Sequence, residues 1–278
     1  MYQNPKIPEG INTSKEHPLK EFSILLVGTV ILVVIASFTL GLTGGWLAGK
    51  IPFSTETKIA SMYDINQYTD SKEHPQLTQY LQSLANKISK AQNLPDDMTI
   101  TAYYMDNETV NAFATIGGNL FIYRGLLEHV PNENTLVTLL GHEIAHVKFR
   151  HPIKSLGRGI AVSIAMATIT GSTDSKVLGE TGLLTVLKFN REMELQADEE
   201  AMHTLYSLYG HINGGAKLFQ IFQQMRIEME TDEDIELFST HPLDQNRIDN
   251  FSRMAKKNNW QETGELTPLP DFFQNTFN

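Results

Sequence analysis

Apolar residues fall along this chain in three rhythms. From Phe22 to Gly49 they run without a single charge, including Ile24-Leu25-Leu26-Val27 and Val30 to Ile35. At about 1.5 Å per residue such a helix exceeds the roughly 30 Å of a hydrocarbon core. Trp46 near its end suits a membrane interface. Its length, its late start and the lack of a small-x-small cleavage site favour a retained anchor over a cleaved signal. Leu77, Tyr80, Leu81, Leu84 and Ile88 then recur every three or four positions and predict an amphipathic helix from Pro75 to Ala91. A strand is predicted from Met98 to Met105, and adjacent strands over Asn111–Ala114 and Asn119–Tyr123 flank a Gly117-Gly118 turn. The helical rhythm returns at Leu136, Leu139, Leu140, Ile144 and Val147. Asn132 or Asn134 can cap this helix after Pro131. His151-Pro152 ends it, because proline disfavours helix in the residue before it. Gly159 to Thr170 is a second uncharged stretch, too short to cross a bilayer and predicted as a buried or re-entrant core helix. Gly171 to Ser175 follows as a loop. Further helices are predicted from Asn190 to about Tyr209, from Gly214 to Met229 and from Leu243 to Met254.

These elements divide the 278 residues into a polar tail (1–21), a transmembrane anchor (22–49), a linker (50–70), one catalytic-sized domain (71–265) and a C-terminal tail (266–278). The predicted class is α+β, mostly helical, with a small β-sheet behind one transmembrane helix. The net charge of −10 and the absence of a basic stripe argue against nucleic-acid binding. The chain has no cysteine, which excludes cysteine nucleophiles, thiolate metal sites and disulfides. Lys6, Lys15 and Lys20 precede the anchor, and Lys50 and Lys58 follow it. That excess of one lysine points weakly to a cytoplasmic N-terminus.

The chemistry concentrates in His142-Glu143-Ile144-Ala145-His146. Four residues make slightly more than one turn, so His142 and His146 share a helix face and can share one zinc ion, with Glu143 close enough to act as general base on a water. A largely apolar helix carrying these groups is costly unless they are paired or bound to metal. A third ligand comes from the helix opened by Asn190. Glu194 and Asp198 lie one turn apart, on the side of Ala197 and Ala201, which let the helix approach closely. Glu192 points about 200° away with Gln196 and Glu199. Glu194 is therefore the predicted ligand. Asp198 is predicted to accept a hydrogen bond from the free ring N–H of a ligand histidine. His203 faces away from Glu194, and His151 reads as a cap of the His142–His146 helix. His17, His74, His129 and His211 read as surface or turn residues. Glu228 to Glu236 is an acid-rich surface run.

The pentapeptide followed by Glu194-x-x-Ala197-Asp198 resembles the membrane-associated gluzincin zinc metallopeptidases, the family of HtpX and the CAAX prenyl endopeptidase. Asn111-Ala112-Phe113-Ala114 with Gly117-Gly118 and Gly125-Leu126-Leu127, and Thr240-His241-Pro242 with Arg247, are similar to the family's flanking motifs, so the likeness covers Asn111 to Arg247. Thr115-Ile116 departs from the proline often found there. The resemblance implies a zincin-like domain holding one Zn2+, with His142, His146 and Glu194 as ligands. It brings His241 and Arg247 to the site as candidates for oxyanion stabilisation, His241 alternatively binding zinc in a resting state. It implies that Asn111, Ala112, Phe113 and Ala114 form an edge strand to which an extended polypeptide adds. It also points to a single-pass protein of a bacterial inner membrane with a periplasmic peptidase domain, hydrolysing extended or misfolded polypeptides in envelope quality control. The alternative is a membrane-tethered, chaperone-like binder of unfolded chains with little proteolysis.

Overall fold

In a computed structural model, residues 18–63, 65, 69–170, 189–228, 237, 241 and 245–277 are described. The fold is mostly helical with one small sheet. The uncharged run forms α1 (Pro18–Ala48), the one helix among the described residues long and apolar enough to cross a membrane. Residues 229–236 of the acid-rich run, the tail 1–17 and the loop 171–175 lie outside the described residues.

The linker is more structured than its composition predicts. Within it α2 (Phe53–Ala60) buries Phe53, Glu56 and Ala60. Glu56 pairs with Arg150 and accepts from the Gly117 N–H at 3.2 Å, which joins α2 to the turn beside the sheet and to the chain just past the histidine helix. α3 (Pro75–Ala91) buries the predicted stripe Leu77, Leu81, Leu84 and Ile88.

Three strands follow: β1 (Thr101–Met105), β2 (Ala112–Ala114) and β3 (Asn119–Tyr123), in the order β1-β3-β2. β1 runs parallel to β3, and β2 antiparallel to it with Phe113 opposite Phe121. The first strand is three residues shorter at its start than its apolar pattern suggests. Gly117 and Gly118 turn the chain at φ of 77° and 79°; a Cβ at Gly118 would meet Thr99 O at 2.0 Å, so only glycine fits.

After the short α4 (Arg124–Leu127), α5 (Glu133–Lys148) crosses the core with every residue from Asn134 to Val147 buried. Asn132 is its N-cap, accepting from Thr135 N at 2.9 Å. Asn134 accepts from Thr267 N instead. The helix stops at Phe149, and Arg150 takes a left-handed φ of 62° that redirects the chain.

From there α6 runs the full length of His151–Thr170. It is not the core helix its composition suggests: no described residue after Ile153 is buried, and it lies along α1. α7 (Arg191–Tyr209) has Asn190 as N-cap and left-handed Gly210 at its end. Ala197 and Ala201 are buried, and Ala201 lies against Gly141 of α5, so the two helices approach as closely as the small residues predict. α8 (Gly215–Glu228) and α9 (Gln245–Asn258) close that side. The predicted C-terminal tail is a strap. Thr267 bonds Glu133 and Asn134 at the start of α5, and α10 (Asp271–Asn275) buries Phe273 in the main core. His211, expected near the surface, is buried beneath this strap with Nε2 3.0 Å from Glu265 O.

Candidate metal centre

α5 and α7 bring His142, His146 and Glu194 to one point, and His241 joins them from the chain before α9. All four are buried. The two Nε2 atoms of His142 and His146 stand 3.0 Å apart. Glu194 Oε1 lies 3.5 Å from His146 Nε2, and Oε2 lies 3.4 Å from His142 Nε2. His241 Nδ1 is 3.0 Å from Glu194 Oε1 and 3.3 Å from His142 Nε2.

These spacings test whether a metal ion fits. Tetrahedral zinc with bonds of about 2.0–2.1 Å needs donor atoms roughly 3.3–3.4 Å apart. The contacts of 3.0–3.5 Å, with Glu194 offering either oxygen, are close to that spacing, and the donors are all nitrogen or carboxylate oxygen. Four buried lone-pair donors converging this way are stable together only with a cation or shared protons between them. Burial lowers His146 well below its ordinary pKa, with His142 beside it as the next cause. His142 moves the other way: burial opposes its charge, but hydrogen bonds to Asp198 and Glu194 push it up to about 10.

An outer set of contacts orients the donors. His142 Nδ1 donates to Asp198 Oδ1 at 2.9 Å. Arg247 clamps Asp198 through Nε at 2.7 Å and Nη2 at 2.8 Å, and its Nη1 lies 2.8 Å from Glu194 Oε2. Burial alone would raise Asp198, but Arg247 holds it below its ordinary value. Burial would likewise raise Glu194, and the adjacent His241 and His142 hold it well below the carboxylate range. His146 Nδ1 is 2.9 Å from His151 Nδ1, whose Nε2 is 3.1 Å from Gln196 Oε1 of α7. Phe189 stacks on the His146 ring at 3.9 Å.

Glu143 faces the same space from the side of the sheet. Its Oε2 accepts from Ala114 N, at the end of edge strand β2, at 3.0 Å. Its Oε1 has no hydrogen-bond partner among the described residues, nor has His241 Nε2, 3.4 Å away. Burial raises the Glu143 carboxyl above its ordinary pKa.

A model of peptidase family M48 matches residues 75–255, which contain this whole constellation. The chain belongs to peptidase family M48. Its curated relatives include the mitochondrial metalloendopeptidase OMA1 of Saccharomyces cerevisiae, 25% identical over 60% of this chain and 50% of the relative. OMA1 of Schizosaccharomyces pombe is 28% identical over 63% and 52%. The beta-barrel assembly-enhancing protease of Escherichia coli (strain K12) is 27% identical over 63% and 38%. The matches thus span from under two fifths to about half the length of these relatives.

Within this M48 chain the structure brings together His142, Glu143, His146, Glu194, Asp198, His241 and Arg247, and sets Ala112–Ala114 on the sheet edge beside them. Glu192, Gln196 and Glu199 face outward, as their helical phase requires. Asn111 is buried just before β2, with its carbonyl accepting from Tyr123 N. His151 is placed differently from its sequence-based role, and Arg247 lies at the cluster. Arg247 points at Asp198 and Glu194, so its charge acts on the carboxylates of the cluster. His151 opens α6 and touches His146; Phe149 is the C-cap of α5. No spacing rule signals His151, because five residues along an unbroken helix would point it about 140° away from His146.

Proposed function

We propose that this chain is a membrane-anchored zinc metalloendopeptidase, with His142, His146 and Glu194 as ligands and Glu143 as general base. The observation that carries this is the buried cluster of His142, His146, Glu194 and His241 with the Glu143 carboxylate beside it. Family membership and the printed names of the relatives support it. Zinc, once bound, supplies a Lewis acid for the scissile carbonyl and lowers the pKa of water towards about 7. Everything else falls to the side chains. Ala114 N–H pins one oxygen of Glu143 and leaves the other to take a proton from water and hand it to the leaving amine. The elevated pKa of Glu143 brings it nearer the range where a carboxyl both accepts and returns a proton. The edge of β2 is suited to holding an extended polypeptide by backbone pairing, which selects little by side chain. Extended or misfolded chains of a bacterial envelope, met from the periplasmic face of the inner membrane, are the proposed substrates. Arg247 is a positioning residue that acts through Asp198 and Glu194.

His241 occupies the fourth corner of the cluster through Nδ1, and must leave it before water or a substrate carbonyl takes that place. The zinc-loaded chain is expected to hold one metal per polypeptide, to show three imidazoles in its metal-edge spectrum at rest, and to cleave casein in a chelator-sensitive way. A polypeptide that stays free of metal after zinc loading ends the hydrolase proposal. A two-imidazole spectrum removes His241 from the corner and leaves the hydrolase standing.

His151 has a definite task if His146 Nε2 faces metal. His146 Nδ1 then carries the proton and donates to His151 Nδ1, and His151 Nε2–H donates to Gln196. His151→Ala is expected to weaken zinc binding by about 10- to 100-fold, the usual cost of losing such an outer partner. His151→Asn, which keeps an acceptor near the Nδ1 position, recovers part of it. Chelator competition measures both; equal affinities for native and His151→Ala protein contradict the assignment.

A further inference from the structure

α6 lies outside the main core, yet it does not stand alone. It packs antiparallel on the C-terminal part of α1: Lys154 meets Gly45 and Gly49, Gly157 meets Gly44 and Ala48, and Arg158 and Val162 meet Gly41. At the centre of the crossing a Cβ on Gly44 would come within 2.6 Å of Gly157 O, so the two backbones touch. Past Val162, α6 continues towards the middle of α1. No charge occurs on it from Gly159 to Thr170, and Ile164 is 63% exposed. α1 is similarly bare, with Leu25, Leu32 and Phe38 each close to 70% exposed.

The charges gather at the domain end of the helix pair. Lys50, just past α1, has its Nζ over the Trp46 ring, while on α6 Lys154 lies beside Gly45 and Gly49 and Arg158 beside Gly41 and Gly45. An indole and three cations gathered at one end of an apolar helix pair are the pattern of an interface with anionic headgroups. Below it α6 is uncharged from Gly159, and α1 is uncharged back to Phe22.

We propose that the apolar half of α6 is inserted in the bilayer against α1, entering from the side of the folded domain and ending near the midplane. The twelve residues from Gly159 to Thr170 reach about 18 Å, a little over half of the roughly 30 Å hydrocarbon core. The partner of this exposed face is therefore the acyl region of a bilayer, with anionic headgroups at the Lys50–Lys154–Arg158 collar. The metal centre then rides close above the headgroups. His151, in contact with His146, is seven residues or about 10 Å along α6 from Arg158. Resting on the peptidase proposal, this puts the site within about three or four extended residues of the bilayer surface, at about 3.3 Å per residue.

The chain contains no cysteine, so single cysteines report without background. Full-length Ile164→Cys, Leu32→Cys and Ser83→Cys proteins are labelled with bimane in detergent. They are then returned to phosphatidylcholine–phosphatidylglycerol vesicles carrying mid-chain brominated lipid. Leu32 lies on α1, and Ser83 is exposed on α3. The probe at 164 is expected to lose emission to the same extent as the probe at 32, and the probe at 83 to lose none. A probe at 164 that stays as bright as the one at 83 overturns the proposal, whether water or protein covers it. Zinc content and casein cleavage of the same samples report separately on the peptidase assignment.

Discussion

Glu143→Gln is expected to retain its metal and to lose casein cleavage by about 10²- to 10⁴-fold, the usual range for a missing general base. The substitution is nearly isosteric, so it isolates the proton-accepting oxygen. The amide oxygen of glutamine can still accept from Ala114 N, which keeps β2 in place against α5. His142, His146, Glu194 and His241 are untouched. What disappears is a carboxylate oxygen facing the cluster without a hydrogen bond. Burial and the nearby Glu194 charge raise the pKa of that carboxyl, while His241 and His142 restrain it. A glutamine there cannot accept a proton at any accessible pH. The decisive comparison is turnover at equal metal content. A metal-replete Glu143→Gln protein that still cleaves casein contradicts the base assignment, and one that loses its metal points to a structural role for the carboxylate.

The parts of this site that follow a helical period could be read before any fold was known. His142 and His146 one turn apart, Glu194 and Asp198 one turn apart, and Glu192 on the opposite side are all consequences of about 100° per residue. The rest depends on where the chain breaks period. Had α5 continued unbroken, His151 would point about 140° away from His146. The left-handed Arg150 turns the chain so that the two rings meet instead. Arg247 comes to Asp198 across 49 residues, and nothing local to Arg247 encodes the direction of its guanidinium. The packing of α6 on α1 escapes for a different reason. A run of Ala, Ile and Val with small residues at one face reads equally as a core helix or a helix in lipid, and the glycines it packs on, Gly41, Gly44 and Gly45, lie on a distant part of the chain. The linker and the C-terminal strap fall in the same class. Phe53 is a lone buried phenylalanine in a polar stretch, and the strap residues Leu269, Phe272, Phe273 and Phe277 dock on a core that nothing in their own short segment identifies.

Replacing Arg247 should cost the metal-free protein more stability than any surface change. Its guanidinium reaches two buried carboxylates at once, Asp198 through Nε and Nη2 and Glu194 through Nη1. Arg247→Met removes the cation and leaves both acids desolvated, a loss of about 3–5 kcal/mol by analogy with other broken buried pairs. For a domain of this size that corresponds to a fall in Tm of roughly 6–20 °C at neutral pH. Arg247→Lys should recover only part, because a single ammonium cannot span both carboxylates as a planar fork does. The pH dependence fixes the sign. Asp198 has a folded pKa below its ordinary 3.8, so its ionisation contributes stability above that value and the contribution disappears as pH falls through the depressed pKa. Without Arg247, burial lifts the folded pKa of Asp198 above its unfolded value, and the same carboxylate becomes destabilising at neutral pH and harmless once protonated. The Tm gap between native and Arg247→Met protein is therefore expected to narrow from pH 7 towards pH 4. Thermal unfolding of the metal-free proteins at both pH values measures it. A gap that stays constant across that range would mean that Arg247 holds the fold through packing, and that its charge does not position Asp198 and Glu194.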